Sequence, residues 1–119
     1  FVEDSDKWNA LAACLALAIP SRLESLSMVT LEAFWAKRPV VANAHCAVLR
    51  GQCRRSGGGL YYTSYDEFRG ILETLEGDAP LRARMGRAGH AYFEKNYAWP
   101  VILEKYLRLI AAARRAKAA

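Results

Sequence analysis

Two short apolar runs, separated by a segment of helical character, constrain the fold of this chain more than any other feature. The runs at residues 15–19 and 39–43 are typical of strands buried on both faces of a parallel sheet. Between them, residues 28–37 present a largely apolar helical surface, with Ser27 at the position of an N-cap. Parallel strands need a crossover, and a helix usually supplies it, so the pattern predicts a β-α-β unit.

Two carboxylates lie inside this predicted unit. Glu24 precedes the helix and Glu32 lies on its second turn. Both are therefore expected at the edge of the sheet where strands end and helices begin, which is where open α/β sheets bind ligands. The first amides of the helix, those of Ser27, Met28 and Val29, lack partners within it and predict an anion site.

The spacing of the two glutamates leaves other interpretations open. Glu24 could form a salt bridge with Arg22, and Glu32 could be a solvated helix residue, because glutamates at this interval are common. Metal binding is a third alternative. No His or Asp lies nearby at ligand spacing, however, so the expectation is that no metal is bound.

A longer motif carries a family resemblance. It runs from Pro20 to Val41 as Pro-Ser-x-x-Glu, seven further residues, then Glu-Ala, five residues and Pro-Val-Val. This motif resembles the glutamate pair of the bacterial retaining GT-B glycosyltransferases (group 1, family 4), and a Val-Leu-x-Gly-Gln-Cys segment at residues 48–53 is similar to one branch of them. The resemblance implies a Rossmann-like parallel sheet with flanking helices, part of the C-terminal domain of a GT-B fold, ending in a helical tail.

The resemblance also implies roles for the residues of the motif. Glu24 would be the catalytic residue, in the sense of orienting the donor sugar through its hydroxyls rather than acting as a nucleophile. Glu32 would take the ribose hydroxyls of the nucleotide. The remaining donor-binding positions would be the main chain of Ser25, Leu26 and Ser27 along the sugar, and the amides of Met28 and Val29 at the diphosphate.

Two further positions follow from the resemblance. In relatives, the main chain that follows one strand of the sheet contacts the nucleobase. Phe1 and Val2 would end that strand here, which makes Val2 a candidate for the nucleobase contact. His45 lies in the turn after the second predicted strand, and it is either a donor-phosphate contact or a loop histidine held by a backbone bond. Relatives carry a Gly-Gly in that turn and Glu-Gly-x-Gly at the first glutamate. Neither pair is present here, where residues 24–27 read Glu-Ser-Leu-Ser.

The composition excludes several classes of protein. With 53% hydrophobic and 24% charged residues among 119, the chain is not disordered, and no apolar run is long enough for a membrane helix. The net charge of +5 suits an anionic ligand or an acidic membrane surface, while no groove-reading motif predicts nucleic-acid binding. An odd number of cysteines without a secretory signal predicts buried free thiols and a cytoplasmic location, with the inner face of the membrane as an alternative. They are Cys14, Cys46 and Cys53.

The predicted organisation is a single partial domain over residues 1–119, with a Rossmann-like part at 1–76 and C-terminal helices at 77–119. A capping box from Ser64 to Glu67 starts one helix. The resemblance implies that an acceptor-binding N-terminal domain and an upstream basic pair belong to the same polypeptide, so this chain alone is expected to be inactive.

The expected function is the donor-binding part of a retaining hexosyltransferase in bacterial polysaccharide biosynthesis. Its substrate would be a nucleotide-diphosphate sugar, and no metal or other cofactor is expected. Two alternatives stay open, a sugar-nucleotide epimerase on the same scaffold and a non-catalytic nucleotide-sugar-binding or scaffolding module. Peripheral contact with a membrane and self-association through an open sheet edge are further expectations about partners.

Overall fold

A computed structural model describes residues 2–118 of the chain. Its three strands form one parallel sheet in the order β1-β2-β3, and helices flank the sheet. This confirms the predicted α/β class, with the long C-terminal helix expected of part of a GT-B C-terminal domain. The elements are α1 (Asp4–Ala13), β1 (Leu17–Ile19), α2 (Met28–Trp35), β2 (Val40–Asn43), α3 (Ala47–Ser56), β3 (Gly59–Tyr62), α4 (Tyr65–Gly77), α5 (Ala79–Tyr97) and α6 (Trp99–Ala118).

The central strand β2 is buried as predicted, but β1 is not. Val40, Val41 and Ala42 of β2 are fully buried. In β1, Ile19 is buried whereas Ala18 is exposed, and the strand is shorter than the predicted run. The prediction of two buried faces for β1 is therefore wrong. Among the described strands β1 has a neighbour on one side only, and strand alternation points Ala18 away from the core that Ile19 enters.

Helix α2 starts where the sequence predicted and ends two residues before the predicted Lys37. The amide of Lys37 donates to the carbonyl of Phe34 at 3.0 Å, and the amide of Arg38 donates to that of Ala33 at 2.8 Å. These two bonds are those of a Schellman motif, in which the residue after the C-cap adopts a left-handed backbone. Here that residue is Lys37, with φ of 59°, rather than the usual glycine, and Pro39 follows.

Helix α5 packs directly on α2 because two glycines bring its backbone close. Gly86 lies against the carbonyl oxygen of Lys37, where a β-carbon would collide with the main chain. A β-carbon on Gly89 would lie 2.6 Å from Cδ1 of the fully buried Phe34. His90, one residue further on, bonds the carbonyl of Trp35 through Nδ1 at 2.9 Å. This contact gives His90 a structural role between α5 and α2.

The sequence also predicts helices over residues 48–55, 64–75, 81–95 and 101–117, and helices α3 to α6 begin and end within two residues of these positions. The Ser64 hydroxyl accepts the amide of Glu67 at 3.2 Å, which is half of the predicted capping box. The Glu67 carboxylate reaches back to the amide and hydroxyl of Thr63 rather than to Ser64, and these bonds lower its pKa. Thr63 takes the place of the Ser64 amide as the partner of Glu67. It lies one residue further from the helix, and its amide and hydroxyl both donate to the same carboxylate oxygen.

All three cysteines are free thiols, as predicted. Cys46 and Cys53 are buried, whereas Cys14 is only half-buried and donates to the carbonyl of Leu11. Burial raises the pKa of the Cys53 thiol to about 11.

Most of α6 is exposed along its length. Trp99, Tyr106 and Leu109 are 74%, 61% and 65% exposed, whereas Ile102 is half-buried. Among the helices of residues 2–118, none combines the length and the apolar character that crossing a membrane requires.

Candidate functional site

The loops that follow β1 and β2 meet at the carboxyl edge of the sheet. Asn43, the last residue of β2, donates its side-chain amide to the carbonyl of Pro20 at 3.0 Å. Its side-chain oxygen accepts the amide of His45 at 3.0 Å. Asn43 therefore joins the loop that carries Glu24 to the turn that carries His45, at the edge where α/β sheets bind ligands.

The loop ahead of α2 is held from behind by α3. Gln52, which is 1% exposed, donates its side-chain amide to the main-chain carbonyl of Leu26. Ser25 and Leu26 themselves lie on the surface of the loop. Gln52 lies inside the Val-Leu-x-Gly-Gln-Cys segment, but its contact was not predictable, because a hydrogen bond between residues 26 positions apart leaves no local pattern in the sequence.

Ser27 precedes α2 in a left-handed backbone conformation, with φ of 61°. Glycine adopts this conformation without steric cost, so Ser27 takes here the backbone path for which a glycine is best suited. The predicted N-cap position is correct, but the Ser27 side chain caps no backbone amide. An N-cap side chain normally works from an extended backbone. Instead, the buried hydroxyls of Ser27 and Thr30 bond each other at 2.9 Å.

The two glutamates of the motif have different surroundings. Glu24 is half-buried and takes part in no ion pair within residues 2–118, so the alternative pairing with Arg22 is not found. Glu32 accepts a hydrogen bond from Nζ of Lys7 on Oε1 at 3.1 Å. Its side chain is only 23% exposed, so Glu32 is not the solvated helix residue of the alternative interpretation.

The contact from Lys7 was not predicted, and it ties α1 to α2. The Lys7 ammonium also lies 3.7 Å from Asp4 and 4.7 Å from the centre of the Trp8 ring. Its hydrogen bond to Glu32 raises the pKa of Lys7. Trp8 in turn meets Trp35 edge to face, with ring centres 5.1 Å apart.

The first turn of α2 exposes the residues predicted to meet the diphosphate. Met28 and Val29 are 64% and 37% exposed. The backbone bonds of the helix begin with the amide of Thr30, which donates to the carbonyl of Ser27 at 3.1 Å. The amides ahead of Thr30 are those that a helix leaves without an internal partner, so they are available to an anion.

Val2 and His45 are surface positions. Val2 is 69% exposed and lies just before α1, outside any strand, so the predicted strand end is not found at Val2. Phe1, which shared that prediction, lies outside the described residues. His45 is exposed in the turn after β2, where its amide bond to Asn43 matches the backbone-held histidine of one interpretation.

A cavity of about 650 Å³ opens beside Glu32, within the size range of ligand pockets. Its walls are mostly apolar and come from α1, α2, α5, α6 and the loop ahead of α2. In the part of the chain that the structure describes, no three His, Cys, Asp or Glu side chains come together as metal ligands. The principal wall residues are Trp8, Leu26, Leu31, Trp35, Tyr97 and Ile102.

Comparison with known families agrees with this geometry. The family described as Glycosyl transferases group 1 matches residues 1–92, well over half of the chain. The chain belongs to the group 1 glycosyltransferases. The matched range includes both glutamates and the whole sheet of this glycosyltransferase chain, so the resemblance inferred from the motif is confirmed.

A curated relative from Corynebacterium glutamicum is named GDP-mannose-dependent monoacylated alpha-(1-6)-phosphatidylinositol monomannoside mannosyltransferase. It is 28% identical to the glycosyltransferase chain over 121 aligned positions, which cover 96% of this chain. They cover 32% of the relative, so the chain spans about a third of the length of that protein.

Proposed function

We propose that this chain is the donor-binding part of a retaining glycosyltransferase that moves a hexose from a nucleotide-diphosphate sugar to an acceptor. The observation that carries the proposal is the placement of Glu24 and Glu32 around the N-terminus of α2, at the carboxyl edge of the sheet. A carboxylate accepts hydrogen bonds from two hydroxyls at once. Two carboxylates therefore suit a donor in which one binds the sugar hydroxyls and the other binds the ribose hydroxyls. Membership of the family supports glycosyl transfer in general.

The donor would lie across the first turn of α2. Glu24, half-buried and outside any ion pair in the described chain, would orient the sugar hydroxyls. Glu32 would take the ribose hydroxyls, and the amides of Met28 and Val29 would meet the diphosphate, favoured by the helix dipole. The main chain from Ser25 to Ser27 would line the sugar, with Val2 at the base and His45 near the phosphates.

The left-handed backbone of Ser27 bears on the alternative of a non-catalytic module. Serines in place of the family glycines were the sequence hint toward that alternative. Ser27 adopts the conformation that favours glycine, and its hydroxyl bonds Thr30. The substitution is thus compatible with a donor loop of the usual path, which supports the catalytic alternative.

The rest of the enzyme would lie outside this chain. We propose that an acceptor-binding domain of the same polypeptide completes the active site, because the relative is about three times as long as the segment it shares with this chain. The enzyme would act in the bacterial cytoplasm, at the inner face of the membrane, in polysaccharide biosynthesis. It would need no metal or other cofactor and no nucleic acid.

The first test is calorimetric titration of the full-length protein with GDP, UDP and ADP. GDP is the first choice because the name of the relative specifies GDP-mannose. Glu32→Gln is expected to lose about 1 to 3 kcal/mol of binding free energy, since a ribose hydroxyl contact is weakened. Glu73→Gln is the matched control, because Glu73 pairs only with Arg69 on the exposed surface of α4. Equal binding by Glu32→Gln and wild type, or no nucleotide binding at all, would contradict the proposed site.

A second assay separates the three function classes. Full-length protein with GDP-mannose is expected to transfer or slowly hydrolyse the donor. Isomerisation of the donor without any dependence on acceptor would indicate an epimerase. Nucleotide binding without transfer or hydrolysis would indicate a scaffolding module.

A further inference from the structure

We infer that Lys7 is a positioning residue for Glu32, which fixes one oxygen of the carboxylate so that the other is presented to the ligand. This role rests on the proposed function, in which Glu32 takes the ribose hydroxyls of a nucleotide. Lys7 lies on α1, 25 residues before Glu32, and was not among the residues that sequence patterns singled out.

The contact is directed at one oxygen. Lys7 Nζ donates to Oε1 of Glu32 at 3.1 Å, and this is the hydrogen bond that the structure gives to the carboxylate within residues 2–118. A carboxylate has about four lone-pair sites on its two oxygens. Binding at Oε1 therefore leaves Oε2 and part of Oε1 for hydroxyl donors, while it removes the rotation that a free glutamate would have.

Lys7 is itself held in place. Its ammonium lies 4.7 Å from the centre of the Trp8 ring, and the side chain is 34% exposed. The second acidic neighbour, Asp4, is further away at 3.7 Å and 90% exposed, so water screens that pair more strongly. Glu32, at 23% exposed, is the better-shielded partner and receives the shorter contact. The pair is thus arranged to order Glu32 before any ligand arrives.

Ordering a side chain in advance lowers the cost of binding. Glu32 lines the cavity beside α1. Without the hydrogen bond from Lys7, its side chain would be free to rotate on the surface of α2. Loss of Lys7 is therefore expected to weaken nucleotide binding about 3- to 10-fold, the range that corresponds to ordering one side chain.

The test is a double-mutant cycle in the full-length protein, titrated with GDP, UDP and ADP. Lys7→Met is expected to weaken binding of the preferred nucleotide, and Lys7→Arg to restore most of it. Adding Lys7→Met to Glu32→Gln is expected to cause little further loss, because the lysine acts through the glutamate. Asp4→Asn is the matched control and should bind as wild type does. In steady-state kinetics, Lys7→Met should raise the donor KM and leave kcat nearly unchanged.

The outcomes separate this role from the proposed function. If Glu32→Gln weakens binding but Lys7→Met does not, only the role of Lys7 is overturned. If the losses of binding free energy in Lys7→Met and Glu32→Gln add in full in the double variant, Lys7 acts independently of Glu32. That result also overturns the positioning role of Lys7. If Glu32→Gln binds normally, the proposed site itself fails. Thermal unfolding of each variant checks the fold, and Lys7→Gln replaces Lys7→Met in the cycle, with the same expectations, if the latter does not fold.

Discussion

Helix α2 has a core face, formed by Thr30, Ala33 and Phe34, and a site face, formed by Met28 and Glu32. The core-face side chains are fully buried, and Phe34 meets the glycine-lined surface of α5. On the site face, Met28 is 64% exposed and the Glu32 side chain is 23% exposed. The same eight-residue helix thus fixes the fold with one face and offers hydrogen-bonding groups with the other, so stability and activity should respond to separate substitutions.

The largest expected effect lies on the site side. Glu24→Ala in the full-length enzyme is expected to lower transfer by about 100-fold or more, on the order of 3 kcal/mol, because the proposed role of Glu24 gives it two charged hydrogen bonds to the sugar. The free energy of unfolding should change little, since Glu24 makes no ion pair in the described chain. Turnover measured at saturating donor, beside chemical denaturation of the same variant, checks both statements. A variant with near-normal turnover would refute the role of Glu24.

Gly86→Ala is the corresponding test of the core side. The added β-carbon would collide with the carbonyl of Lys37, so we expect a loss of about 2 to 3 kcal/mol in the free energy of unfolding. Gly70→Ala is the matched control, because nothing lies within 4 Å of its β-carbon on α4. That control should gain about 0.4 to 1 kcal/mol. Urea denaturation of both variants measures the difference, and a neutral Gly86→Ala would show that α5 does not pack as closely as described.

Alkaline pH should lower the free energy of unfolding through ionisation of the buried Cys53 thiol. Burial raises the pKa of its thiol from 9.0 to about 11, so between these values the unfolded chain loses this proton before the folded chain does. Stability contributed by Cys53 is therefore fully present below pH 9 and falls as the pH rises toward 11, by on the order of 2 kcal/mol. Urea denaturation from pH 8 to 11 tests this. Cys53→Ser should flatten that slope.

The smallest expected effect lies at Ser27, the residue immediately before α2. Ser27→Ala keeps the strained left-handed backbone and leaves the buried Thr30 hydroxyl without its partner. The free energy of unfolding is therefore expected to fall by about 1 to 2 kcal/mol. Ser27→Gly also loses the bond but relieves the strain, and should be close to wild type. The two variants are compared by denaturation. Equal stability of both would mean that the backbone conformation carries no cost.

The elements of the fold were largely predictable because their signals are local. The buried run that became β2 and the capping serine at residue 64 each act within a few residues. The edge character of β1 was missed because an apolar run does not reveal how many neighbours the strand has. Lys37 was wrongly predicted as the last residue of α2, because the left-handed backbone that it adopts just after the helix is unusual for a lysine and nothing in the local sequence indicates it. The main chain of Lys37 packs against Gly86 of α5.

The candidate site was predictable only in part. The Pro-Ser-x-x-Glu motif indicated Glu24 and Glu32 through a family resemblance, and the structure brings both to the predicted edge of the sheet. The contacts that hold the site were not predictable, because Lys7 and Gln52 reach their partners across 25 and 26 residues. Periodicity describes which face of an element is apolar, and it carries no information about which distant polar side chain meets that face.

The bond between Trp35 and His90 has a consequence for the order of events during synthesis. His90 follows Trp35 by 55 residues, so at roughly 5 to 20 residues per second the ribosome needs about 3 to 11 seconds to supply it. During this interval the nascent chain already contains α2 but lacks Gly89 of α5, which packs on Phe34. That aromatic side chain would be open to chaperones until α5 emerges, which makes the arrival of α5 the step that completes the core.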